Sequence, residues 1–389
     1  MADIDEILTR GVANIIPNKE ELKKKLESGK LNVYLGIDPT APQIHLGHAV
    51  LLRKLQKFAE LGHNVTFLIG DFTALIGDTS DKDSERPTLT PEEIEENFQT
   101  YKKQAEKILD FSKVKIRHNS EWLSELKFDE IIKLIQKFSL GDFISRELIK
   151  KRLGEGKRIG LHEAIYPIMQ AYDSYHLKTD LQIGGTDQTF NMQSGRTLIK
   201  NLENRESFVL TTSILEGVDG RKMSKSYGNS IWLNDTPSDM YAKIMAIEDK
   251  LIINYFTLAT DVSGEKIKEY EERLKKDNPI NIKKELASEI VKELHNEKSA
   301  QGAEENFKKT VQDKELPVEL VTAENFQNTI LDMVSDWATN NNRSEAKRLV
   351  QQGGVSVNGK KINLEESNEN IEKEMTIKVG RKIIRIKPK

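Results

Sequence analysis

The chain has 389 residues, of which 37% are hydrophobic and 31% charged, and a formal net charge of −3. This suffices for two or three domains with a buried core and excludes a globally basic nucleic-acid binder, so any nucleic acid must be held by local positive patches. With no cysteine, disulfides and thiolate metal sites are excluded; no apolar run approaches membrane length, and the acidic start MADIDEILTRG does not read as a signal peptide, so a soluble cytoplasmic protein is expected.

The first thirty residues are expected to form a leading helix pair, with Asp5, Glu6, Glu20 and Glu21 at the helix starts and Lys23 to Lys25 on a solvated face. Leu31 to Ile37 reads as an apolar strand that turns at Asp38-Pro39-Thr40. A helix follows from Leu46-Gly47-His48, keeps helical spacing through Val50, Leu51, Leu55, Phe58 and Leu61, and stops at Gly62. Val65 to Ile69 is the next strand, which predicts a parallel sheet with its ligand site at the carboxyl ends of the strands. His45 and His48 share one face at that helix start, and Gly36 and Gly47 let a ligand approach the backbone. The free N–H groups and the helix dipole favour an anionic guest. Two ordinary surface histidines are the plain alternative, and zinc fits less well because the spacing is not a usual ligand pair.

Gly70 to Asp78 reads as a glycine-punctuated turn leading into a polar loop, Thr79 to Pro87. Thr90-Pro91-Glu92-Glu93 is a capping box that opens a helix to about Leu109. Val114 to Arg117 reads as a strand, Asn119-Ser120 as a helix cap, and the pattern stays helical to about Leu153, an insertion between two halves of the sheet. Within the helix at His162 to Leu177, Pro167 is placed in the first turn, and Tyr166, Gln170 and Asp173 fall on one face at i, i+4 and i+7. That face is either solvated or the wall of a pocket for a small amphipathic substrate. Leu181-Gln182-Ile183 leads into Gly184-Gly185-Thr186-Asp187-Gln188, where Asp187 either caps the next helix or accepts from ligand hydroxyls. Ser207 to Leu210 is the last strand and delivers Gly220 to Ser226, GRKMSKS. Lys222 and Lys225, in a loop with Gly220 and Gly228, suit either a phosphate clamp or a charged surface turn.

After Asn229 the pattern is helical and Lys/Glu-rich from Thr236-Pro237 to about Thr310, broken at Asp277-Asn278-Pro279. Val311 to Asn325 reads as a linker. Ser344 to Val350 is a basic amphipathic helix, Asn358-Gly359 a hairpin turn and Lys382 to Ile386 a closing strand. Residues 341–389 hold twelve Lys/Arg against six Glu, so positive charge is concentrated at this end of a net acidic chain.

HLGH followed downstream by KMSKS resembles the paired signatures of class I aminoacyl-tRNA synthetases. GIDPTAPQIHLGH, LIGDFTALIGD, YPIMQAYDS and GGTDQ resemble the bacterial tyrosyl-tRNA synthetase family, and the likeness runs from about Asn32 into the C-terminal module. The resemblance implies an α/β fold: a Rossmann-like parallel-sheet catalytic domain at 1–230 with a helical dimerisation insertion at about 119–155. An α-helical domain at 231–320 would approach the anticodon arm, and a small α+β RNA-binding domain of the ribosomal-protein-like type would occupy 326–389. It implies ATP, L-tyrosine and tRNA(Tyr) as substrates, Mg²⁺ arriving with ATP, no resident metal site, a homodimer and no membrane association.

By the same resemblance, Tyr34 and Asp173 bind the tyrosine phenol, Asp78, Tyr166 and Gln170 its ammonium group, and Gln188 lies near its carboxyl. Thr40, His45, Lys222 and Lys225 act on the phosphates, with Lys82 and Arg86 as further mobile cations. Gly36, Asp38, His45, Gly47, His48, Asp187, Lys222 and Lys225 form the ATP site. The mobile loop departs from the family pattern, because Asp81 and Asp83 flank Lys82 and weaken its field at a pyrophosphate unless they help hold Mg²⁺ or pair elsewhere. Two other readings stay open. Tryptophanyl-tRNA synthetase is opposed by the Tyr34 and Asp173 pair and the C-terminal module; a non-catalytic scaffold for structured RNA is opposed by intact HLGH, KMSKS and GGTDQ.

Overall fold

The computed structural model describes residues 3–78, 89–312, 318–323, 329–339, 342–371, 374–380 and 382–388. These fall into two compact units, Met1–Gln301 and Gly302–Lys389. The polar loop expected at Thr79 to Pro87, with Lys82, Arg86, Asp81 and Asp83, lies outside the described residues.

The first unit opens with α1 (Ile4–Ile7), β1 (Val12–Ile16) and α2 (Lys19–Ser28). The expected helix pair is therefore interrupted by a strand. Val12-Ala13-Asn14-Ile15-Ile16 is too short to declare itself locally, and it becomes a strand because the sheet edge offers it an antiparallel partner, with a bulge between Val12 and Asn14. Then come β2 (Asn32–Ile37), α3 (Leu46–Glu60), β3 (Asn64–Ile69), α4 (Asp71–Ile76), α5 (Pro91–Ala105) and β4 (Val114–His118). The segment read as a turn after Gly70 is thus mostly helix. The predicted capping box at Thr90 and Glu93 is present, with both reciprocal bonds.

The insertion contains α6 (Ser120–Leu123), α7 (Phe128–Ile135), α8 (Leu140–Ile144) and α9 (Glu147–Gly154), and leads to α10 (Leu161–His176). Pro167 lies inside α10, in the second turn and not the first as expected. The turn before it is held from outside. Glu163 accepts from Gly160 N–H at 2.9 Å and forms a fully buried two-pronged ion pair with Arg152 of α9 at 2.6 and 3.1 Å.

The sheet is completed by β5 (Leu181–Gly185), α11 (Thr189–Glu203) and β6 (Phe208–Thr212). Its order is β1-β6-β5-β2-β3-β4, parallel from β6 to β4 and antiparallel only at β1. Crossovers run one way from β2 through β3 to β4 and the other way from β5 to β6. The switch point therefore falls between β2 and β5, where carboxyl ends and helix starts open a crevice. Beneath it Leu35, Leu52, Leu55, Phe58, Phe67, Ile183 and Leu210 are buried almost completely.

The helical part of this unit comprises α12 (Pro237–Met245), α13 (Ile252–Ala259), α14 (Gly264–Leu274), α15 (Pro279–Leu294) and α16 (Glu297–Phe307), the last reaching past the unit boundary. Its core is Tyr255, Phe256, Ile282, Leu286, Ile290 and Val291. The Arg10 guanidinium donates to the carbonyls of Phe256, Thr257, Thr260 and Val262, closing the C-terminal end of α13. Arg53 on α3 pairs with Asp261 at 2.9 Å and Glu293 at 2.6 Å, so the helix that begins at His45 is tied to the bundle.

The second unit adds β7 (Val318–Ala323), α17 (Ile330–Ala338), α18 (Arg343–Gln351), β8 (Val355–Val357), β9 (Lys360–Lys361), α19 (Leu364–Ser367), β10 (Met375–Val379) and β11 (Lys382–Pro388). The segment read as a linker thus contains a strand, β7, parallel to β11. Its pairing partner lies more than sixty residues away, beyond any local periodicity. Asn358 and Gly359 both have positive φ, +47° and +83°, as the predicted hairpin turn requires.

Candidate active site

One cavity of about 670 Å³ opens at the carboxyl ends of β2 and β5. It brings together nearly every residue singled out from the sequence. Tyr34, Gly36, Asp38 and Thr40 come from β2 and its turn, His45, Gly47 and His48 from the start of α3, and Asp78 from the end of the described loop. Tyr166, Gln170 and Asp173 come from α10, Asp187 and Gln188 from the turn after β5, and Lys222 and Lys225 from the loop after β6. Only Lys82 and Arg86, which lie outside the described residues, have no place in this geometry.

At the base, Tyr34 is 2% exposed and Asp173 3%. Asp173 Oδ1 accepts from Trp122 Nε1 at 2.7 Å and Oδ2 from Asn119 Nδ2 at 3.1 Å. Burial pushes its carboxyl up to about 8, and these two donors oppose the rise. The Tyr34 hydroxyl lies 2.8 Å from Ser174 Oγ, whose own hydrogen has Gln182 Oε1 at 3.2 Å and Gln170 O at 3.3 Å as acceptors. That leaves Tyr34 to donate to Ser174 and to present lone pairs upward. Burial, followed by the nearby Asp173 charge, holds the Tyr34 phenol well above its ordinary range, so it stays neutral. Leu68 and Leu123 pack around Tyr34 and Trp122, with Phe72 and Met169 at the margin, making the floor apolar apart from these groups.

Further up, the Asp38 carboxylate takes the Tyr166 hydroxyl at 2.8 Å and the Thr73 hydroxyl at 2.8 Å. It lies so close to Gly70 that any Cβ there would overlap Asp38 Oδ1. Burial, then Asp38 and Asp78, keep the Tyr166 phenol protonated. Gln188 Nε2 donates to Asp78 Oδ2 at 2.7 Å while its Oε1 accepts from Asn191 at 3.1 Å. Asp38, Asp78 and Tyr166 together form an acidic, hydrogen-bonded wall that suits a small cation.

The rim is cationic and aromatic. The rings of His45 and His48 stack with centroids 3.8 Å apart, and His45 also lies 5.8 Å from Trp232. Burial, then the neighbouring His48 and Lys222, lowers His45 to about 2; burial, partly offset by Asp187, lowers His48 to about 4. Both imidazoles are therefore neutral near pH 7 and offer N–H groups, not charge. The His45 main-chain N–H donates to His48 Nδ1 at 3.4 Å, which leaves the His48 proton on Nε2. His45 Nδ1 is buried with no hydrogen-bond partner among the described residues. Lys222 Nζ reaches across to Asp187 Oδ2 at 3.1 Å. The N-cap positions of the turn and of α11 are Gly185 and Gln188, not Asp187, and neither has a side-chain capping bond.

Sequence reasoning missed Asn119, Trp122, Thr73, Ser174 and Gln182. Asn119 was read as a cap, yet it makes no side-chain capping bond; its amide accepts from Phe72 N–H and donates to Thr73 and Asp173. A polar residue just past the carboxyl end of a parallel strand, or a glutamine inside an apolar strand, is the signal that would have flagged Asn119 and Gln182.

Residues 26–312 match the family model described as tRNA synthetases class I (W and Y), and residues 340–366 match the S4 domain. The tyrosine–tRNA ligase of Thermotoga maritima is 44% identical over 386 residues, covering 98% of this chain and 96% of that one. That of Carboxydothermus hydrogenoformans is 45% identical over 396 residues, covering 97% and 95%. Among solved structures, the tyrosyl-tRNA synthetase of Archaeoglobus fulgidus complexed with L-tyrosine aligns with a TM-score of 0.61 at 26% identity, covering 78% of this chain and all of that one. The parallel sheet with its switch-point cavity, the two signature loops facing each other across it, and a family match over most of the chain lead to one conclusion: this chain belongs to the class I tRNA synthetases of the tryptophan and tyrosine group.

Proposed function

We infer that this chain is a tyrosine–tRNA ligase that joins L-tyrosine to ATP as tyrosyl-adenylate and then passes the tyrosyl group to tRNA(Tyr). The observation that carries the choice of amino acid is the buried pair at the cavity base, Asp173 and Tyr34, with Trp122 and Asn119 holding the carboxylate from behind. A phenol hydroxyl can donate to Asp173 or to the lone pairs of Tyr34. Phenylalanine would bring a C–H edge against a carboxyl and a hydroxyl whose remaining acceptor sites face the cavity, an effect for which this enzyme class is itself the standard illustration. An indole N–H could satisfy one carboxylate oxygen but would bring no donor to the Tyr34 lone pairs that face the cavity, which disfavours tryptophan.

Asp78, Tyr166 and Gln170 take the ammonium group, with Asp38 adding charge to that wall, and Gln188 stands near the carboxyl. His48, Asp187, Gly36 and Gly47 hold adenosine; Thr40, His45, Lys222 and Lys225 meet the phosphates, with Lys82 and Arg86 as further cations. The tyrosine carboxylate is ionised at neutral pH, so an oxygen of it attacks the α-phosphorus without a base and pyrophosphate leaves. The negative charge spreading over the phosphates is met by the two lysines and by N–H groups of neutral imidazoles. A hydroxyl of the terminal adenosine of tRNA then attacks the acyl carbon and AMP leaves. Mg²⁺ is expected to arrive with the ATP phosphates, whose oxygens are its preferred ligands.

Residues 1–230 form the catalytic part, 231–320 approach the anticodon arm, and 326–389 hold structured RNA. Exposed Arg343, Lys347, Arg348, Lys360 and Lys361 on α18 and the β8–β9 hairpin support that last role. The insertion and the start of α10 support a homodimer: Phe128 is 78% exposed, Leu140 62% and Leu161 82%, and α7 buries nothing in the single chain. No described helix is long and apolar enough to cross a membrane, and the location proposed is cytoplasmic. ATP–pyrophosphate exchange with each of the twenty amino acids tests the assignment. Stimulation by tyrosine alone is expected; stimulation by tryptophan, or by none, would refute it.

A further inference from the structure

The segment carrying the two lysines is folded on one buried amide. Before the lysines, Glu216 and Lys222 form an antiparallel bridge, Gly217 N–H donates to Arg221 O at 2.7 Å, and Met223 N–H to Leu215 O at 3.1 Å. Inside this narrow turn sits Asn229, 2% exposed. Its Oδ1 accepts from Ser224 N–H at 2.9 Å. Its Nδ2 donates to Asp219 Oδ1 at 2.6 Å and Lys222 O at 3.2 Å, with Arg221 O at 3.4 Å, and its main-chain carbonyl accepts from Val218 N–H at 3.2 Å. Only this orientation of the amide works, since the reverse would set NH₂ against an N–H and an oxygen against a carboxylate.

The partners are fixed as well. Hydrogen bonds from Asn229 and then Arg221 hold the Asp219 carboxyl down to about 2, so it is a permanent acceptor. Gly217 lies flush on the Asn229 amide, and a Cβ there would overlap it. Lys222 is thus tied by its carbonyl and Ser224 by its N–H to the same side chain, with Met223 buried between them. From that anchored main chain the Lys222 ammonium extends over the cavity to Asp187.

We propose that Asn229 is a positioning residue for the ATP-dependent step: its buried amide presets the main chain of Lys222 and Ser224, and so the point from which the lysine reaches the phosphates. Lys222 can exchange Asp187 for a phosphate oxygen by rotating its side chain while the backbone stays in place. This is pre-organisation, in which the ordering cost is met on folding and not at each turnover. Asn229 itself touches no substrate. The inference rests on the reading of Lys222 and Lys225 as a phosphate clamp.

The test uses the full chain and its variants Asn229→Ala and Asn229→Asp, with tyrosine-dependent ATP–pyrophosphate exchange at varied ATP and tyrosine binding measured by equilibrium dialysis without ATP. For Asn229→Ala, kcat/KM for ATP is expected to fall about 10- to 100-fold, the value of one or two buried hydrogen bonds, while the tyrosine Kd stays within about twofold. Asn229→Asp keeps the acceptor for Ser224 but sets a second carboxylate against Asp219, and is expected to do no better than alanine. Trypsin should cut after Lys222 and Lys225 faster in both variants. Wild-type ATP parameters in either variant would overturn the proposal, and so would a parallel loss of tyrosine affinity, which marks a merely structural role. Absence of exchange in the unmodified chain would instead overturn the clamp reading beneath it.

Discussion

Asp173→Asn separates the energetic cost of the phenol site from its use. Burial raises the Asp173 carboxyl from 3.8 to about 8, a difference worth about 6 kcal/mol at roughly 1.36 kcal/mol per pH unit. Below pH 3.8 the folded and unfolded chains both hold this proton and there is no cost. Between 3.8 and about 8 the unfolded chain releases it while the folded chain retains it, so stability declines as pH rises, and above about 8 the full cost applies. Asparagine carries no such cost. Its Oδ1 can keep the 2.7 Å bond from Trp122, but its NH₂ would meet the Asn119 NH₂, which is fixed by Phe72 and Thr73. That mismatch costs about 1–3 kcal/mol. The net expectation is a variant about 3–5 kcal/mol more stable at pH 8–9, an upward shift of about 5–8 °C in melting midpoint, and no gain near pH 4 to 5. Tyrosine affinity, measured on the same samples by equilibrium dialysis, should fall sharply. Thermal melts from pH 4 to 9 check the first expectation. A stability difference that does not change with pH, or a variant less stable throughout, would refute the claim that this carboxyl is held at an energetic cost.

Other expectations concern neighbouring elements. Gly70→Ala would press a methyl group on Asp38 and Thr73, destabilising the unit by about 1–3 kcal/mol and weakening tyrosine binding, as denaturant titration and dialysis would register. His118 and Asp71 lie 3.1 Å apart, and this contact raises the histidine; on the carboxyl, burial acts upward but is outweighed by this contact together with the hydroxyl and N–H of Ser120, which lower it. The histidine's contribution is present in full below 6.5 and is lost as pH rises through its raised value; that of the carboxylate is present above 3.8 and is lost as pH falls through its lowered value. His118→Gln should therefore cost about 0.5–1 kcal/mol at pH 6 and almost nothing at pH 9, since the pair is partly exposed. Phe128→Glu combined with Leu161→Glu should convert a dimer to a monomer in sedimentation, with the circular dichroism of the chain retained; an unchanged sedimentation coefficient would remove the insertion from the subunit contact.

Residues that act through their immediate neighbours could be read directly from the chain. The β2–α3–β3 unit, the capping box at Thr90, the helix start at Thr236, the break at Asp277-Asn278-Pro279, and the Asn358-Gly359 turn depend on spacing and on side chains within a few positions, and each is present. HLGH and KMSKS were legible for the same reason: phosphate chemistry needs cations, N–H groups and glycines packed into short stretches. What pairs with what was not legible. Val12–Ile16 and Val318–Ala323 become strands because a sheet edge is waiting for them, a condition set by residues some two hundred and more than sixty positions away. Asn119 leaves its capping role because Thr73 and Asp173 arrive beside it from two other elements, and Pro167 is carried inside a helix because Arg152 fastens the turn before it. Charge state depends on depth in the same way. The chain specifies two histidines and a carboxylate, but only their burial makes the imidazoles neutral donors and raises Asp173 to about 8, because the cost of holding a charge is set by the solvent and partners that the tertiary fold removes or supplies.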